Sequence, residues 1–334
     1  MAFCLDFHHH IILVKGAEAS VEDKLKSEFH FFLSPDKYPE LTIELNYGAL
    51  PPTPSLPVEK ILETCLIYRL GRRKYIDYFG EALTIVDEDS RTISIYSASV
   101  ERLFELAFLT IHSRAGDMLD RAGLSRIHAM AVSYKNVNAV VMLPSKGGKS
   151  TLLTYLLENP DIKIIADDMP LVDRSGRILP FPTKISMTER PETGELAKLN
   201  WNEFMRAHYP PKWTASLSSI SERLEIAPEK NPVLLLNGVR LSHGESMIIP
   251  ATKWQMIPGV LEHMIVGMGL PQIIEIFLQF RITDIFKMIT HAFLRTWCAV
   301  MLVKRADTFT IYLGHDKAYN AQLLLNLMSE HEKT

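Results

Sequence analysis

A short run of residues near the middle of the chain has the types and spacing that bind phosphate. Gly147-Gly148-Lys149-Ser150-Thr151 follows an apolar run, Asn138 to Leu143, and precedes the mainly apolar residues 152–157. A buried strand, a glycine-rich turn and a helix start, in that order, point backbone N–H groups and the positive end of the helix dipole at a phosphate. In such a loop the lysine reaches the outer phosphates and the serine hydroxyl holds Mg²⁺. The residues expected to contact a nucleotide are Ser145, Lys146, Gly147, Gly148, Lys149, Ser150 and Thr151.

One position departs from the usual phosphate-loop pattern. The first glycine of G-x-x-x-x-G-K-[ST] falls at residue 143, which is Leu143. The turn therefore has to begin differently, and Pro144 is the residue placed to do so. The alternative interpretation of the segment is a plain connection between a strand and a helix.

A pair of carboxylates, Asp167-Asp168, comes directly after the apolar run Ile162 to Ala166. In nucleotide-binding folds an acidic residue at the end of a neighbouring strand faces the Mg²⁺ held by the loop serine. Successive side chains of an extended chain point to opposite sides, so one carboxylate would serve the metal and the other would accept a proton. The alternative is that the pair only caps a turn before Pro170.

A histidine, His128, lies in the run Arg126 to Val132, which the sequence predicts as the strand preceding the phosphate-loop strand. A single histidine at a strand start is more often structural than functional. Lys184, Arg190 and Arg240 are further cations for which the sequence alone gives no role.

The elements that must position these residues form two predicted domains. Residues 1–110 contain short runs rich in β-branched and aromatic residues, separated by turn residues, and predict a β-rich N-terminal domain. Val100 to Arg121 has helical spacing and leads into the second domain. Residues 111–334 predict an α/β domain with a lid or insertion at 189–232 and a mainly helical C-terminal part. The runs read as strands in the first domain are 11–14, 41–45, 64–69, 75–79 and 92–96.

Bulk composition narrows the class of protein. A net charge of −3 gives no electrostatic reason to expect nucleic acid as a partner. Three widely spaced cysteines suggest neither a disulfide framework nor a zinc site, which favours a reducing, cytoplasmic setting. The hydrophobic region 254–303 is interrupted by charged residues, so we expect no transmembrane segment.

Together these residues resemble a known family. His128-Ala129-Met130-Ala131-Val132, the run Ala139 to Thr151, and Ile165-Ala166-Asp167-Asp168 are similar to the catalytic domain of HPr kinase/phosphorylase and, more closely, to HPr-kinase-related proteins. The similarity extends over about Val58 to Met187. Thr151 stands where HPr kinases have an acidic residue, and their signature after the second aspartate has no clear counterpart here.

The resemblance implies a P-loop kinase domain of the type shared with phosphoenolpyruvate carboxykinase. By that resemblance Asp167 is the general base and His128 its catalytic partner, while Ser150 and Asp168 hold the metal. The predicted activity is ATP- and Mg²⁺-dependent transfer of the γ-phosphate to a hydroxyl of a protein, a peptide or a small metabolite. The alternatives are a catalytically silent nucleotide-binding sensor or scaffold, and a P-loop hydrolase, for which no water-positioning residue is apparent. A homo-oligomer is left open.

Overall fold

The computed structural model describes residues 2–16, 18–35, 38–53, 55–144, 147–187, 189–192, 194–206, 209–228, 231–266 and 282–332. The chain forms two compact units. The first is built mainly from Met1–Leu119, and the second takes most of the chain from Asp120 onward. The protein is therefore a mixed α/β structure with several sheets.

The first unit is organised around one nine-stranded sheet of order β3-β1-β2-β4-β9-β8-β7-β6-β5. Only the pairs β2–β4 and β4–β9 are parallel. Most of the strands of this sheet lie between Leu41 and Ser97. Its strands are β1 (Ala2–Phe7), β2 (His10–Lys15), β3 (Leu33–Ser34), β4 (Leu41–Tyr47), β5 (Lys60–Ile61), β6 (Leu66–Leu70), β7 (Arg73–Asp77), β8 (Ala82–Asp87) and β9 (Thr92–Ser97).

Two helices accompany this sheet along the chain. Helix α1 (Ala19–Glu28) buries only Val21, Glu22 and Leu25, and this sparse apolar pattern explains why it was not predicted. Helix α2 (Val100–Ala122) matches the predicted helix, because its apolar residues recur at the helical period.

The second unit contains a central six-stranded sheet and two small three-stranded sheets. Its strands are β10 (Ser125–Arg126), β11 (Met130–Tyr134), β12 (Val137–Met142), β13 (Ile162–Ala166), β14 (Leu171–Val172), β15 (Ile178–Leu179), β16 (Lys184–Met187), β17 (Trp201–Arg206), β18 (Tyr209–Ser216), β19 (Val233–Arg240), β20 (Met247–Pro250) and β21 (Asp307–Leu313). Its helices are α3 (Lys149–Leu156), α4 (Lys253–Leu261), α5 (Ile282–Arg305) and α6 (Lys317–Glu332), and a π-helical turn (Glu262–Val266) follows α4 directly.

The central sheet has the order β13-β11-β12-β19-β21-β20. Strand β12 runs parallel to β19, and β19 runs parallel to β21, whereas β11 is antiparallel to both β12 and β13. The carboxyl ends of β12, β13, β19 and β21 and the amino end of β11 therefore lie along one edge of the sheet.

The hydrophobic core of the second unit packs against the central sheet and holds its strands in place. Fully buried Met142 of β12 and Leu235 of β19 pack in one cluster with Met256 of α4 and Leu302 of α5. Burying a side chain of this size stabilises the fold by about 1.5–3 kcal/mol. Helices α4 and α5 thereby hold the strands from which the site residues project.

The segment 126–132 corrects one expectation from the sequence. It is not a single strand, because Arg126 belongs to β10, which pairs with β14, whereas Met130 begins β11 in the central sheet. His128 lies between the two strands. Its backbone N–H donates to the carbonyl of His263, and that of Ala129 donates to the carbonyl of Asp168 at 3.0 Å. These bonds to other segments replace the strand pairing.

The region 189–232 contains regular structure. Strands β17 and β18 lie within it and form a small sheet with β16, of order β16-β18-β17. Short 3₁₀ turns at Glu195–Lys198 and Leu217–Arg223 complete it. None of the described helices is long and apolar enough to cross a membrane.

Candidate functional site

The site residues predicted from sequence converge on the shared edge of the central sheet. The glycine-rich turn follows β12, the two aspartates follow β13, and His128 precedes β11. Because β12 and β13 run in the same direction and β11 runs against both, these three connections meet. The topology therefore brings together segments that are separate in the sequence.

The turn after β12 is tight and ends at the start of α3. The N–H of Gly147 donates to the carbonyl of Pro144 at 2.9 Å, as expected if Pro144 begins the turn. Gly148 precedes the helix with φ +102°, a left-handed conformation that glycine adopts without strain, and no described atom lies within 4 Å of the position that a Cβ would take. The N–H groups of the first turn of α3, at Lys149, Ser150 and Thr151, have no partner within that helix and are available to an anion. Ser145 and Lys146, also predicted to bind nucleotide, lie outside the described residues.

Leu143, which replaces the first glycine of the motif, is fully buried. Its side chain packs over Gly238 of β19. A Cβ on Gly238 would lie 2.4 Å from Leu143 Cδ2 and 2.8 Å from the carbonyl of Met142. The leucine side chain is accommodated because the neighbouring strand has a glycine beside it.

Lys149 lies at the centre of the polar cluster and is only 8% exposed. Its Nζ donates to the carbonyl of Leu143 at 2.9 Å, and it lies 3.0 Å from His128 Nε2 and 3.8 Å from Asp168 Oδ1. Burial lowers the pKa of Lys149, and the charges of the two aspartates oppose that shift. The lysine is thus held within the protein by a backbone carbonyl, a histidine and a carboxylate.

His128 Nε2 has two close neighbours that make opposite demands on it. Asp168 Oδ1 lies 3.1 Å away and needs a donor, whereas the ammonium of Lys149 needs an acceptor. A protonated Nε2 donates to Asp168, and a deprotonated Nε2 accepts from Lys149. The ring therefore couples the lysine to the carboxylate.

Asp167 is buried, with 6% of its surface exposed. Its Oδ2 accepts one long bond, from the N–H of Ser186 at 3.4 Å, and within the described part of the chain its buried Oδ1 has no hydrogen-bond partner. Burial and the charge of Asp168 raise the pKa of Asp167 to about 7. This carboxyl group changes its protonation state near neutral pH, and a buried acceptor oxygen is left for a ligand.

Asp168 has the opposite character, although it is the adjacent residue. Its side chain is 51% exposed and faces His128 and Lys149. Partial desolvation raises its pKa, but the hydrogen bond and charge of His128 and the charge of Lys149 outweigh it, so that the pKa is lowered overall. The two carboxyl groups thus differ in protonation, because the bend that follows β13, in place of the extended chain expected from the sequence, puts them in different surroundings.

Ser150, the predicted metal ligand of the loop, donates through Oγ to the carbonyl of Ser186 at 3.2 Å. Ser186 belongs to β16, and its N–H is the group that donates to Asp167. One residue of β16 therefore contacts both the start of α3 and the buried carboxylate.

No described group of three or more His, Cys, Asp and Glu side chains is arranged to hold a metal ion. Ser150 and Asp168 offer two oxygen ligands, the kind that Mg²⁺ prefers. Mg²⁺ at phosphate-transfer sites takes one or two protein oxygens and completes its octahedron with substrate phosphates and water. The two residues fit that use and do not form a metal site on their own.

Sequence reasoning missed two cationic or titratable side chains of the site. The positive charge of Lys212 in β18 acts on Lys149, Asp167 and Asp168. It is near them because β18 pairs with β16, where Thr214 lies opposite Ser186. His263 of the π-helical turn lies beside His128, with ring centroids 5.5 Å apart. Neither residue is in a recognisable motif, and both are placed by pairing and packing of distant segments.

The remaining candidate cations are spread over the second unit. Lys184 is the first residue of β16, Arg240 is the exposed last residue of β19, and Arg190 is exposed in the connection after β16.

The chain gave no match when it was compared with protein-family models, and no significant match when it was compared with curated proteins.

Proposed function

We propose that this protein is a P-loop kinase that transfers the γ-phosphate of ATP to a hydroxyl group in the presence of Mg²⁺. The observation that carries this proposal is Asp167, a buried carboxyl group whose Oδ1 has no partner among the described residues and whose pKa is about 7, beside the lysine at the start of α3. Such a group suits a general base for a hydroxyl acceptor at neutral pH.

The turn after β12 and the first turn of α3 would hold the phosphates of ATP. Gly147 and Gly148 allow the backbone to approach closely, and the N–H groups of Lys149, Ser150 and Thr151 point along the helix axis toward an anion. Lys149 would exchange its bond to the Leu143 carbonyl for the outer phosphates. This exchange is favourable because a charge-assisted bond to phosphate is stronger than one to a neutral carbonyl.

In the transfer step the acceptor oxygen forms a bond to the γ-phosphorus while the bond between that phosphorus and the β–γ bridging oxygen breaks. ADP leaves with the electron pair of the broken bond, and the hydroxyl proton passes to Asp167. His128, through its contact with Asp168, keeps the second carboxylate oriented. Lys149, Lys212 and the helix N-terminus are placed to balance the negative charge of the phosphates.

Ser150 and Asp168 would hold Mg²⁺, which neutralises phosphate charge when it is bound. The resemblance to HPr-kinase-related proteins supports the same assignment of roles. The acceptor is not taken from that family, because its signature after the second aspartate has no clear counterpart here. The proposed acceptor is a hydroxyl group of a protein, a peptide or a small metabolite. The proposed location is the cytoplasm, and the proposal is compatible with a homo-oligomer.

One observation favours a second candidate, a nucleotide-binding sensor or scaffold without turnover. Lys149 already has internal partners in Leu143 and His128, and a loop stabilised in this way is able to hold a nucleotide without transferring phosphate. The two candidates differ in turnover and agree in ATP binding.

Calorimetry with Mg-ATP tests the part that they share. Lys149→Met should weaken ATP binding by at least about tenfold, because a hydrogen bond to a charged group contributes about 1.5–3 kcal/mol. Lys163→Met, at an exposed position of β13, is the matched control and should bind ATP as the wild type does. Equal affinity of Lys149→Met and wild type would refute the phosphate-loop assignment.

Labelling distinguishes the kinase from the sensor. The protein is incubated with γ-labelled ATP, Mg²⁺ and a cell extract, and the kinase should transfer label to an acceptor. If the protein binds ATP but labels no acceptor in any extract, the kinase proposal is overturned and the sensor proposal is supported.

A further inference from the structure

The π-helical turn Glu262–Val266 contacts the candidate site through His263. It continues α4 without a break, and turns of this kind occur frequently at functional sites. Its residue His263 accepts a hydrogen bond through its carbonyl from the N–H of His128 at 3.0 Å. The turn therefore contacts the very segment that links β10 to β11.

The ring of His263 reinforces this backbone contact. Its centroid lies 5.5 Å from that of His128, with 39° between the ring planes. Burial lowers the pKa of His263, and the charges of His128 and Lys149 lower it further, against the weaker effect of Glu262. A neutral ring thus packs against His128 at neutral pH, on top of the backbone bond.

A buried ion pair fixes the turn from the side of α5. The guanidinium of Arg295 donates through Nε to Asp120 Oδ1 at 3.1 Å, pairs with the second carboxylate oxygen through Nη2, and donates through Nη1 to the carbonyl of Met264 at 3.2 Å. The Arg295 and Asp120 side chains are 13% and 2% exposed. The side chain of Met264 is itself buried in the core with α4 and α5.

These contacts form a continuous chain. Asp120 holds Arg295, Arg295 holds the carbonyl of Met264, and the adjacent His263 holds His128 through both its backbone and its ring. His128 in turn has one nitrogen near Lys149 and Asp168. The route leads from the core of the second unit to the proposed phosphotransfer site.

We propose that His263 is a positioning residue of this site, held by the Arg295–Asp120 pair, which keeps His128 in the orientation that it needs toward Asp168. The inference rests on the proposed kinase function. It predicts that the loss of the ring slows transfer without weakening ATP binding, because the hydrogen bond and the ring contact described for His263 are both to His128. A merely structural role would lower both together.

The test compares His263→Ala with His263→Phe in the labelling assay at saturating Mg-ATP, with ATP affinity measured by calorimetry. We expect His263→Ala to lower the initial rate of transfer about tenfold while ATP affinity stays within about twofold, since small displacements of positioned groups cost transfer rate. His263→Phe keeps a ring against His128 and should recover most of the rate. Transfer by His263→Ala at the wild-type rate, or a parallel loss of rate and affinity that phenylalanine does not restore, would overturn the inference.

A second variant covers the case in which His263→Ala fails to fold. Arg295→Lys keeps a cation beside Asp120 but lacks the forked donors that reach Asp120 and Met264 together. It should show the same selective loss of rate, and unchanged transfer would contradict the inference. Wild-type protein is measured first: wild type that labels nothing overturns the proposed kinase function itself, whereas active wild type with equally active variants overturns only the role of His263.

Discussion

Two aspartates at strand ends, one in each unit, show what distinguishes a structural carboxylate from a candidate functional one. Asp87 is the last residue of β8, and Asp167 directly follows β13. Asp87 accepts from the N–H groups of Ser90 and Asp89 and from Arg73 Nε at 2.8 Å, so both of its oxygens have partners. The backbone bond from Ser90 and the bond from Arg73 lower its pKa.

Asp167 occupies the same kind of position with a different result. It is buried, it accepts one long bond within the part of the chain that the structure describes, and its pKa is raised to about 7. The residue type and the local structure are shared, so the difference comes from the neighbours. A carboxylate that is fully satisfied stabilises a turn, whereas one that is left incomplete in a buried site is kept for a ligand or a proton.

The largest effect that we expect is a difference in the rate of phosphate transfer between variants of the two aspartates. Asp167→Asn should lower transfer of the γ-phosphate by roughly 10²–10⁴-fold, the usual contribution of a general base. Asp87→Asn should leave transfer unchanged. Initial rates of labelling at saturating ATP measure both, and similar rates for the two variants would remove the basis of the comparison.

A buried ion pair in the second unit and an exposed ion pair in the first unit should differ in their contribution to stability. Asp120→Asn leaves the buried guanidinium of Arg295 without its counterion and should lower the free energy of unfolding by about 3–5 kcal/mol. Arg73→Met breaks the pair with Asp87, in which the arginine is 59% exposed, and should change the free energy of unfolding far less, because water screens an exposed pair. All four tryptophans lie in the second unit, so their fluorescence in urea follows Asp120→Asn. Circular dichroism follows Arg73→Met, and equal losses would contradict the prediction.

A pH series sharpens the contrast in protonation. The folded protein holds a proton on Asp167 up to about pH 7, whereas the unfolded chain releases it near the ordinary value of 3.8. This contribution to stability is therefore present at low pH and is lost as the pH rises from about 4 to about 7, by at most about 4 kcal/mol.

The difference in unfolding free energy between wild type and Asp167→Asn isolates this contribution. His263, whose pKa is lowered, adds a slope of the opposite sign near its ordinary value, and this slope is common to both proteins. The wild type should lose stability relative to Asp167→Asn between about pH 4 and about pH 7. A difference that is constant with pH would show that Asp167 is not protonated as described.

A smaller effect than that of Asp120→Asn is expected at the leucine of the loop. Gly238→Ala places a methyl group against Leu143 and should destabilise the second unit by about 1–3 kcal/mol. The double variant Leu143→Ala/Gly238→Ala should lose less than the sum of the two single variants, because the smaller side chain makes room for the methyl group. Fluorescence-monitored unfolding of the wild type, the two single variants and the double variant gives the coupling free energy between residues 143 and 238. Strictly additive losses would show that the two side chains are not in contact.

The sequence predicted the parts of the site that depend on local patterns. The buried strand, the glycine turn and the start of α3 follow each other within a few residues, and Asp167-Asp168 ends an apolar strand, so the order alone indicates their positions. His128 was predicted as a site residue, but its strand was wrong, because a bond to His263 replaces pairing there. In the first unit, strands β1, β3, β5 and β8 and helix α1 were not predicted.

The rest of the site was beyond local patterns. Lys212 is near the carboxylates only because β18 pairs with β16, and His263 is near His128 only because a π-helical turn follows α4. The substitution at Leu143 is explained by Gly238, which lies in a strand that is distant in sequence and adjacent in space. Such relationships are set by strand order and helix packing, which no window of sequence contains.

The strand order also determines when the site is completed during synthesis. Strands β11, β12 and β13 and helix α3 leave the ribosome early, but β12 pairs on its other side with β19, and β19 pairs with β21. Until Val233 and the residues after it have been made, the fully buried edge of β12 at Val140 faces solvent, where unpaired strands promote aggregation. The glycine that accommodates Leu143 arrives with the same late strand, so the loop takes its final shape only when most of the chain has been synthesised.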